Sequence, residues 1–106
     1  SRIKNMVTVV YRVIVKKGKE NNFKEIAFVC TKSARKSNNC LKYTFFQAID
    51  NPREFLVHYK FKNIDDQKIH IENLRKLLGS SPKGRDLPAK FIDLLEAEEV
   101  VLFDQK

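Results

Sequence analysis

The residues best suited to chemistry lie between Cys40 and His70, where a run of aromatic side chains precedes a single histidine. Asp50–Arg53 favours a turn, because Asp and Asn bond to nearby backbone groups and the proline presets a turn dihedral. The aromatic-rich segments on either side, Leu41–Ala48 and Glu54–Phe61, therefore predict a β-hairpin. Helix-capping side chains follow the hairpin, so His70 is expected on a helix beside it. An aromatic hairpin beside one imidazole predicts a pocket.

The elements that position this pocket follow from the spacing of apolar residues. Met6–Lys16 alternates and contains many β-branched residues, which predicts the first strand. The remaining predicted elements are a helix over Glu20–Ser37, a helix over Ile64–Leu78, a short helix over Leu87–Leu95 and a last strand over Ala97–Phe103. The order βαββα(α)β predicts an α+β, ferredoxin-like βαββαβ fold, with an antiparallel sheet and both helices on one face.

Alternation along the predicted strands separates two faces of the sheet. The face expected to meet the helices and His70 carries Tyr11, Tyr43, Phe45, Tyr59 and Phe61. The opposite face carries Phe46, Leu56 and His58, together with Val10 and Ile14 of the first strand. Because neither face is plainly polar, we expect another subunit to cover this second face.

Length and composition bound the class of protein. The chain has 106 residues, of which 42% are hydrophobic and 32% charged, and no apolar run approaches the ~20 residues of a membrane span. We expect a single domain over residues 6–104, with residues 1–5 as an N-terminal extension or as residues added for expression. Because the first residues lead straight into an alternating segment, with no continuous apolar core, the protein is expected to be cytoplasmic, with no membrane partner.

The positive charge is concentrated in the N-terminal part of the chain. Residues 1–42 hold eleven of the 21 Lys and Arg but only two of the 13 acids. Such a field attracts nucleic acid, acidic membranes or anionic small molecules, or simply aids solubility. RNA-recognition modules share the predicted topology, but Glu54–Phe61 lacks the glycines of their third-strand pattern. We therefore predict no nucleic-acid partner.

Metal-ligating residue types are sparse. Cys30 and Cys40 lie ten residues apart and are expected to be free thiols, with a disulfide as the alternative. The two histidines, His58 and His70, form no HxxxH pattern, and no CxxC occurs. The sequence predicts no metal site.

Several short motifs along the chain allow it to be compared with a known protein family. They are Val15–Glu20 with Phe23, Ala34–Arg35, Asn39–Tyr43, Asp50–Phe55, Phe61 and His70. From Met6 to Phe103 the chain resembles the antibiotic biosynthesis monooxygenase (ABM) superfamily of small dimeric α+β barrel proteins. The resemblance implies a homodimer in which two sheets close into a barrel, each subunit keeping a pocket between its sheet and its helices.

The same resemblance implies an activity and a set of site residues. Members oxidise polycyclic phenols or quinols with O₂ and need neither metal nor flavin, so a small-molecule substrate with O₂, and no cofactor, is expected. His70 would be the base or a hydrogen-bond donor, since an unperturbed imidazole titrates near neutral pH. The substrate would contact Tyr43, Phe45, Tyr59 and Phe61 as ring walls, Tyr11 as a donor to a phenolate, and Arg85 or Lys83 as a cation in the loop Gly79–Asp86, a candidate lid.

Three positions depart from relatives with other activities. Many members have Trp where Phe61 stands, haem-degrading members also have Asn at the position of Tyr11, and this chain has no Trp. Members with a second histidine have it at the position of Arg75. Haem degradation and a two-histidine site are therefore not expected. A non-catalytic small-ligand-binding or sensing dimer, and processing of a quorum-sensing sugar derivative, stay open as alternatives.

Overall fold

A four-stranded antiparallel sheet carries three helices in the computed structural model, which describes residues 5–80 and 87–105. The elements are β1 Val7–Val15, α1 Glu20–Arg35, β2 Cys40–Gln47, β3 Glu54–Phe61, α2 Ile64–Leu78, α3 Ala89–Ile92 and β4 Leu95–Asp104. The strands lie in the order β2-β3-β1-β4. This confirms the predicted ferredoxin-like α+β fold. None of the helices in the described ranges is long and apolar enough to cross a membrane.

Two predicted helix boundaries are wrong, and local hydrogen bonds explain both. α1 ends at Arg35, two residues early, because the amide of Ser37 turns back to the carbonyl of Ala34 at 3.0 Å. The short helix covers only Ala89–Ile92, since the extended backbone of Pro88 delays its start and Leu95 already pairs with β1. The predicted extension at residues 1–5 lies almost wholly outside the described residues and stays a prediction.

The core lies between one face of the sheet and the buried stripe of α1. All five alternate residues of β1, from Val7 to Val15, are buried, as predicted. Phe23 of α1 lies 4.6 Å from Phe55 of β3 and 5.3 Å from Phe91 of α3, measured between ring centroids. This cluster of three fully buried rings holds α1 and α3 on the sheet.

Side-chain hydrogen bonds fix the start of α2 and thus the position of His70. The side chain of Asn63 accepts a hydrogen bond from the amide of Asp66 at 2.9 Å, which satisfies one of the free N–H groups at the helix start. Asn39 donates to the carboxylate of Asp66 at 2.9 Å and ties the helix to the residue before β2. Gly79 ends α2 with a φ of 87°, a backbone conformation that other residues rarely adopt.

The other face of the sheet, here called the open face, is covered by none of the helices in residues 5–80 and 87–105. Half-exposed and exposed apolar residues cross all four strands on this face; they are Phe46, Leu56, Val10, Ile14, Val101 and Phe103. Lys42 and Lys60 lie opposite each other at one end. At the other end Arg12 donates to Glu54 at 2.6 Å. The open face is therefore apolar in the middle, with two lysines at one end and an arginine–glutamate ion pair at the other.

Candidate active site

A cavity, here called the pocket, lies between the helix-facing side of the sheet, α2 and the segment around α3. The strand register places Tyr43, Tyr59, Val9 and Leu102 in one row across the sheet, and Tyr11 beside Val100 in the next. The full lining is Val9, Tyr11, Tyr43, Tyr59, Gln67, His70, Ile71, Leu74, Leu87, Pro88, Phe91, Val100 and Leu102. The pocket is mostly apolar, with a few polar groups from three phenols, one amide and one imidazole.

His70 is enclosed by aromatic rings. The rings of Tyr43 and Tyr59 stack with centroids 4.8 Å apart, and both meet the imidazole edge-on at 5.3 Å. Phe61 lies 5.4 Å from the imidazole at an angle of 33°. Only 3% of His70 is exposed.

Three buried polar atoms at this site have no hydrogen-bond partner among the described residues. They are both ring nitrogens of His70 and the hydroxyl of Tyr43. The neighbouring Tyr59 hydroxyl, by contrast, accepts a hydrogen bond from Gln67 Nε2 at 3.1 Å. An unpaired buried polar group costs about 1–3 kcal/mol, so such groups require water or a ligand to compensate.

Burial also sets the charge state of these groups. Desolvation lowers the pKa of His70 to about 4, so its imidazole is neutral at neutral pH and can accept a hydrogen bond. Burial is also the main cause that raises the pKa of Tyr11 and of Tyr43 well above the usual phenol value. The pocket therefore offers a neutral acceptor beside two phenols that remain hydrogen-bond donors.

Four predicted site residues meet at the pocket: Tyr11, Tyr43, Tyr59 and His70. Phe61 contacts His70 but borders a different cavity, and Phe45 lies across Val57 from Tyr11, outside the lining. Arg85 and Lys83, with most of the predicted lid, fall in residues 81–86, outside the described residues. The functional roles of all these residues stay predictions.

Sequence reasoning missed Gln67 and the β4 wall of the pocket. Gln67 precedes His70 by three residues, so helical spacing places both on one face and could have identified it. Val100 and Leu102 are 36% and 42% exposed and join the lining only because β4 pairs with β1. The pairing of β4 with β1 is a tertiary contact, and the local sequence of β4 does not predict it.

The pocket volume is small in this conformation. It measures about 20 Å³, which is room for about one water molecule. A flat aromatic ligand must therefore displace lining side chains. The half-exposed Val100 and Leu102 form the side of the pocket nearest to solvent.

Thiols and metal-ligating groups add little to the chemistry of the site. Cys30 and Cys40 are free, as predicted, and burial raises the pKa of Cys30 to about 12, which makes its thiol unreactive. Within residues 5–80 and 87–105, His, Cys, Asp and Glu form no group of three that could hold a metal ion.

Several solved structures share this fold. A protein from Shewanella oneidensis superposes with a TM-score of 0.79 at 17% identity, over 97% of this chain and 93% of its own. SnoaB, a cofactor-independent oxygenase from Streptomyces nogalater, gives 0.75 at 15% identity over 96% and 94%. A conserved protein from Methanosarcina mazei gives 0.73 at 17% identity over 97% and 95%. At these identities the likeness concerns the fold alone.

Sequence comparison identifies the family. No curated protein matches the chain. The sequence profile of the antibiotic biosynthesis monooxygenase family, however, matches residues 6–73, which contain the predicted hairpin motifs and His70. The chain therefore belongs to the antibiotic biosynthesis monooxygenase family.

Proposed function

We propose that the protein is a cofactor-independent monooxygenase that oxidises a small aromatic, quinol or polyketide-like substrate with O₂. Membership of the family and the fold shared with SnoaB, a cofactor-independent oxygenase, support this proposal. The observation that carries it is the group of three unpartnered polar atoms, on His70 and Tyr43, at a pocket walled by aromatic rings. Such a site provides a proton acceptor, a donor and flat walls in a water-poor environment.

In the proposed reaction, His70 removes a proton from an activated C–H or O–H of the substrate. The resulting anion passes an electron to O₂, and the two radicals combine to form a C–O bond. The peroxide anion takes up a proton, the remaining C–H proton of the same carbon is lost as the O–O bond breaks, and the products are a carbonyl on the substrate and water. An imidazolium beside a substrate anion is an ion pair, which offsets the burial that disfavours the charged form of His70.

The phenols have a separate proposed role. The Tyr43 hydroxyl, which is buried beside the Tyr11 hydroxyl, donates to the developing phenolate or enolate oxygen of the substrate. The stacked pair of Tyr43 and Tyr59 presents a flat surface to an aromatic ring. Substrate enters from the side of Val100 and Leu102, where the lining is most exposed.

The substitution His70→Phe tests the proposal. It removes the base and keeps an aromatic ring, so the rate of O₂ consumption with a panel of anthrones and quinols should fall by about 10²–10⁴-fold. The assay is run after metal removal, with His58→Gln as the matched control because His58 lies on the open face. Unchanged turnover in His70→Phe would contradict the assignment of the base.

The second candidate is a non-catalytic small-ligand-binding or sensing protein. The observation in its favour is the pKa of His70, which at about 4 makes the free protein a weak base. Native mass spectrometry separates the two candidates. A ligand retained without turnover across the whole panel supports binding, whereas release of oxidised product supports the oxygenase.

We also propose that the open face joins two copies of the chain into a homodimer. The apolar residues in its middle come from all four strands and form a continuous patch. Such a patch exposes more apolar surface than single apolar residues scattered over a protein do. One end carries the pair Lys42–Lys60, and the opposite end carries the acids Glu54 and Glu99, of which Glu54 is paired with Arg12 and leaves one acid in excess. A two-fold axis running across the strands places the basic end of one copy over the acidic end of the other.

Charge in the middle of this face should separate the subunits. Leu56→Asp buries an unpaired carboxylate in the proposed interface, so the variant should be a monomer at micromolar concentration while the parent is a dimer. Leu77→Asp is the control, because Leu77 is 56% exposed on α2 and away from the open face. Light scattering after size exclusion measures both masses. A monomeric parent, or a dimeric Leu56→Asp, contradicts the proposed interface.

A further inference from the structure

His70 borders a second cavity, here called the interhelical cleft, which lies between α1 and α2. Its polar lining consists of Ser33 from α1, Ser37 from the turn after α1, and Asp66 and Asn73 from α2. The cleft volume is about 30 Å³, which holds about two water molecules. The same two serines and Asn73 also line an open surface groove, so the cleft continues to solvent. The imidazole therefore separates an aromatic pocket from a polar path to the surface.

Helical spacing explains why these polar side chains meet. Asp66, His70 and Asn73 lie at i, i+4 and i+7 on α2, Ser33 lies in the last turn of α1, and Ser37 lies in the turn that follows it. Two contiguous polar rows thus face each other across the helix contact. Two helices usually pack through apolar side chains. Here serine and asparagine leave a small cavity whose walls can form hydrogen bonds.

The hydrogen-bonding capacity of the cleft is only partly used. Asn39 donates through its side-chain amide to Asp66 at 2.9 Å and through its backbone amide to Ser37 Oγ at 3.2 Å. Carboxylate and hydroxyl oxygens each accept more than one hydrogen bond. Buried water requires two to four polar partners, and the cleft supplies them beside the unpartnered nitrogens of His70.

We infer that water in the interhelical cleft hydrogen-bonds His70 and carries its proton between the imidazole, Asp66 and solvent. The inference extends the proposed function, on which it rests for the source of the proton. Once substrate fills the pocket, the proton taken by His70 has no exit on that side. It leaves from an imidazolium N–H to a cleft water, and that water passes a proton to Asp66 or bulk solvent. The same path returns a proton when the O–O bond breaks, so that the second oxygen leaves as water and the imidazole is neutral for the next turnover.

The charges around this path fit that role. Among the described residues, the titratable groups whose rings meet His70 are the phenols of Tyr43 and Tyr59, which do not accept a proton at neutral pH. On the cleft side the carboxylate of Asp66 favours a positively charged water cluster. Lys36 and Lys76 line the surface groove further out, so the favourable charge for a proton lies at Asp66.

Nuclear magnetic resonance on the ligand-free protein tests the path without any substrate. Cross-peaks between water and the ring protons of His70 report water beside the imidazole, and His58 is the internal control. Asn73→Leu fills the cleft and should abolish the His70 cross-peaks. Val100→Phe narrows the pocket on its opposite side and should leave them in place. Ser37→Val fills the cleft from the turn after α1 and replaces Asn73→Leu if that variant does not fold.

The outcomes separate the cleft from the proposed reaction. Cross-peaks that persist in the cleft variants, or that disappear in Val100→Phe alone, overturn the inference. If the cleft variants lose the cross-peaks but the protein oxidises no substrate, the water in the cleft is supported and the proposed oxygenase activity is contradicted. If oxidation occurs, the cleft variants should lower kcat, leave KM unchanged and increase the solvent isotope effect. An unchanged kcat in those variants overturns the proton path and leaves the oxygenase intact.

Discussion

Phe23→Ala should destabilise the protein by about 3–5 kcal/mol, because it removes a ring from the centre of a close-packed core. Phe23 has no exposed surface and packs between Phe55 and Phe91. The substitution therefore leaves a cavity that rings from β3 and α3 cannot fill without shifting. Since α1 and α3 both rest on this cluster, the loss affects two elements at once.

The same helix offers a matched control for that experiment. Phe28 is 57% exposed on α1 and contacts only the ammonium group of Lys32 among the ring interactions found in the described structure. Phe28→Ala should change the unfolding free energy by less than about 1 kcal/mol. Urea unfolding of both variants gives the comparison. Equal losses would show that the ring cluster does not dominate the packing of α1.

Acidification should destabilise the parent protein by about 3 kcal/mol more than it destabilises His70→Phe. The pKa of His70 is about 4 in the folded protein and about 6.5 when unfolded. Between these values the unfolded chain binds more protons, so stability falls as pH decreases from about 6.5 and the difference levels off below about 4. A phenylalanine at this position has no proton to bind and lacks this contribution.

Unfolding free energies measured by urea at pH 7, 5.5 and 4 test this dependence. Carboxylates titrate in the same range, so the quantity to compare is the difference between the parent and His70→Phe at each pH. His58→Gln keeps His70 and should follow the parent. A constant difference across the three pH values would mean that water or a ligand satisfies the imidazolium in the folded state.

Local patterns were sufficient for the parts of the fold that depend on one element. The alternation in Val7–Val15 placed Tyr11 on the buried face, and the spacing in α2 placed His70 among buried residues. The turn at Asp50–Arg53 was predicted correctly, because the side chain of Asn51 accepts from the amide of Arg53 at 3.1 Å. In each case the deciding interactions lie within a few residues of one another.

The sequence predicted on which face of a strand or helix each site residue lies, but not which residues of that face reach the pocket. Alternation placed Phe45 and Tyr43 on the same side of β2, yet only Tyr43 lines the pocket, since Phe45 lies two strands away from Tyr11, beyond Val57. Leu95 looked like the end of a helix and became part of β4 through its pairing with Val15. The interhelical cleft depends on which residues of α1 face α2, and neither helix determines that contact alone.

The pairing of β1 with β4 has a consequence for how the protein reaches its native state. Val7 pairs with Asp104, so one edge of β1 can form its hydrogen bonds only with residues near the far end of the described chain. The hairpin of β2 and β3 closes locally, whereas the β1–β4 ladder closes the largest loop in the described structure. A high contact order of this kind slows folding. On a ribosome the pocket wall at Val100 and Leu102 would be added only after the rest of the sheet has left the exit tunnel.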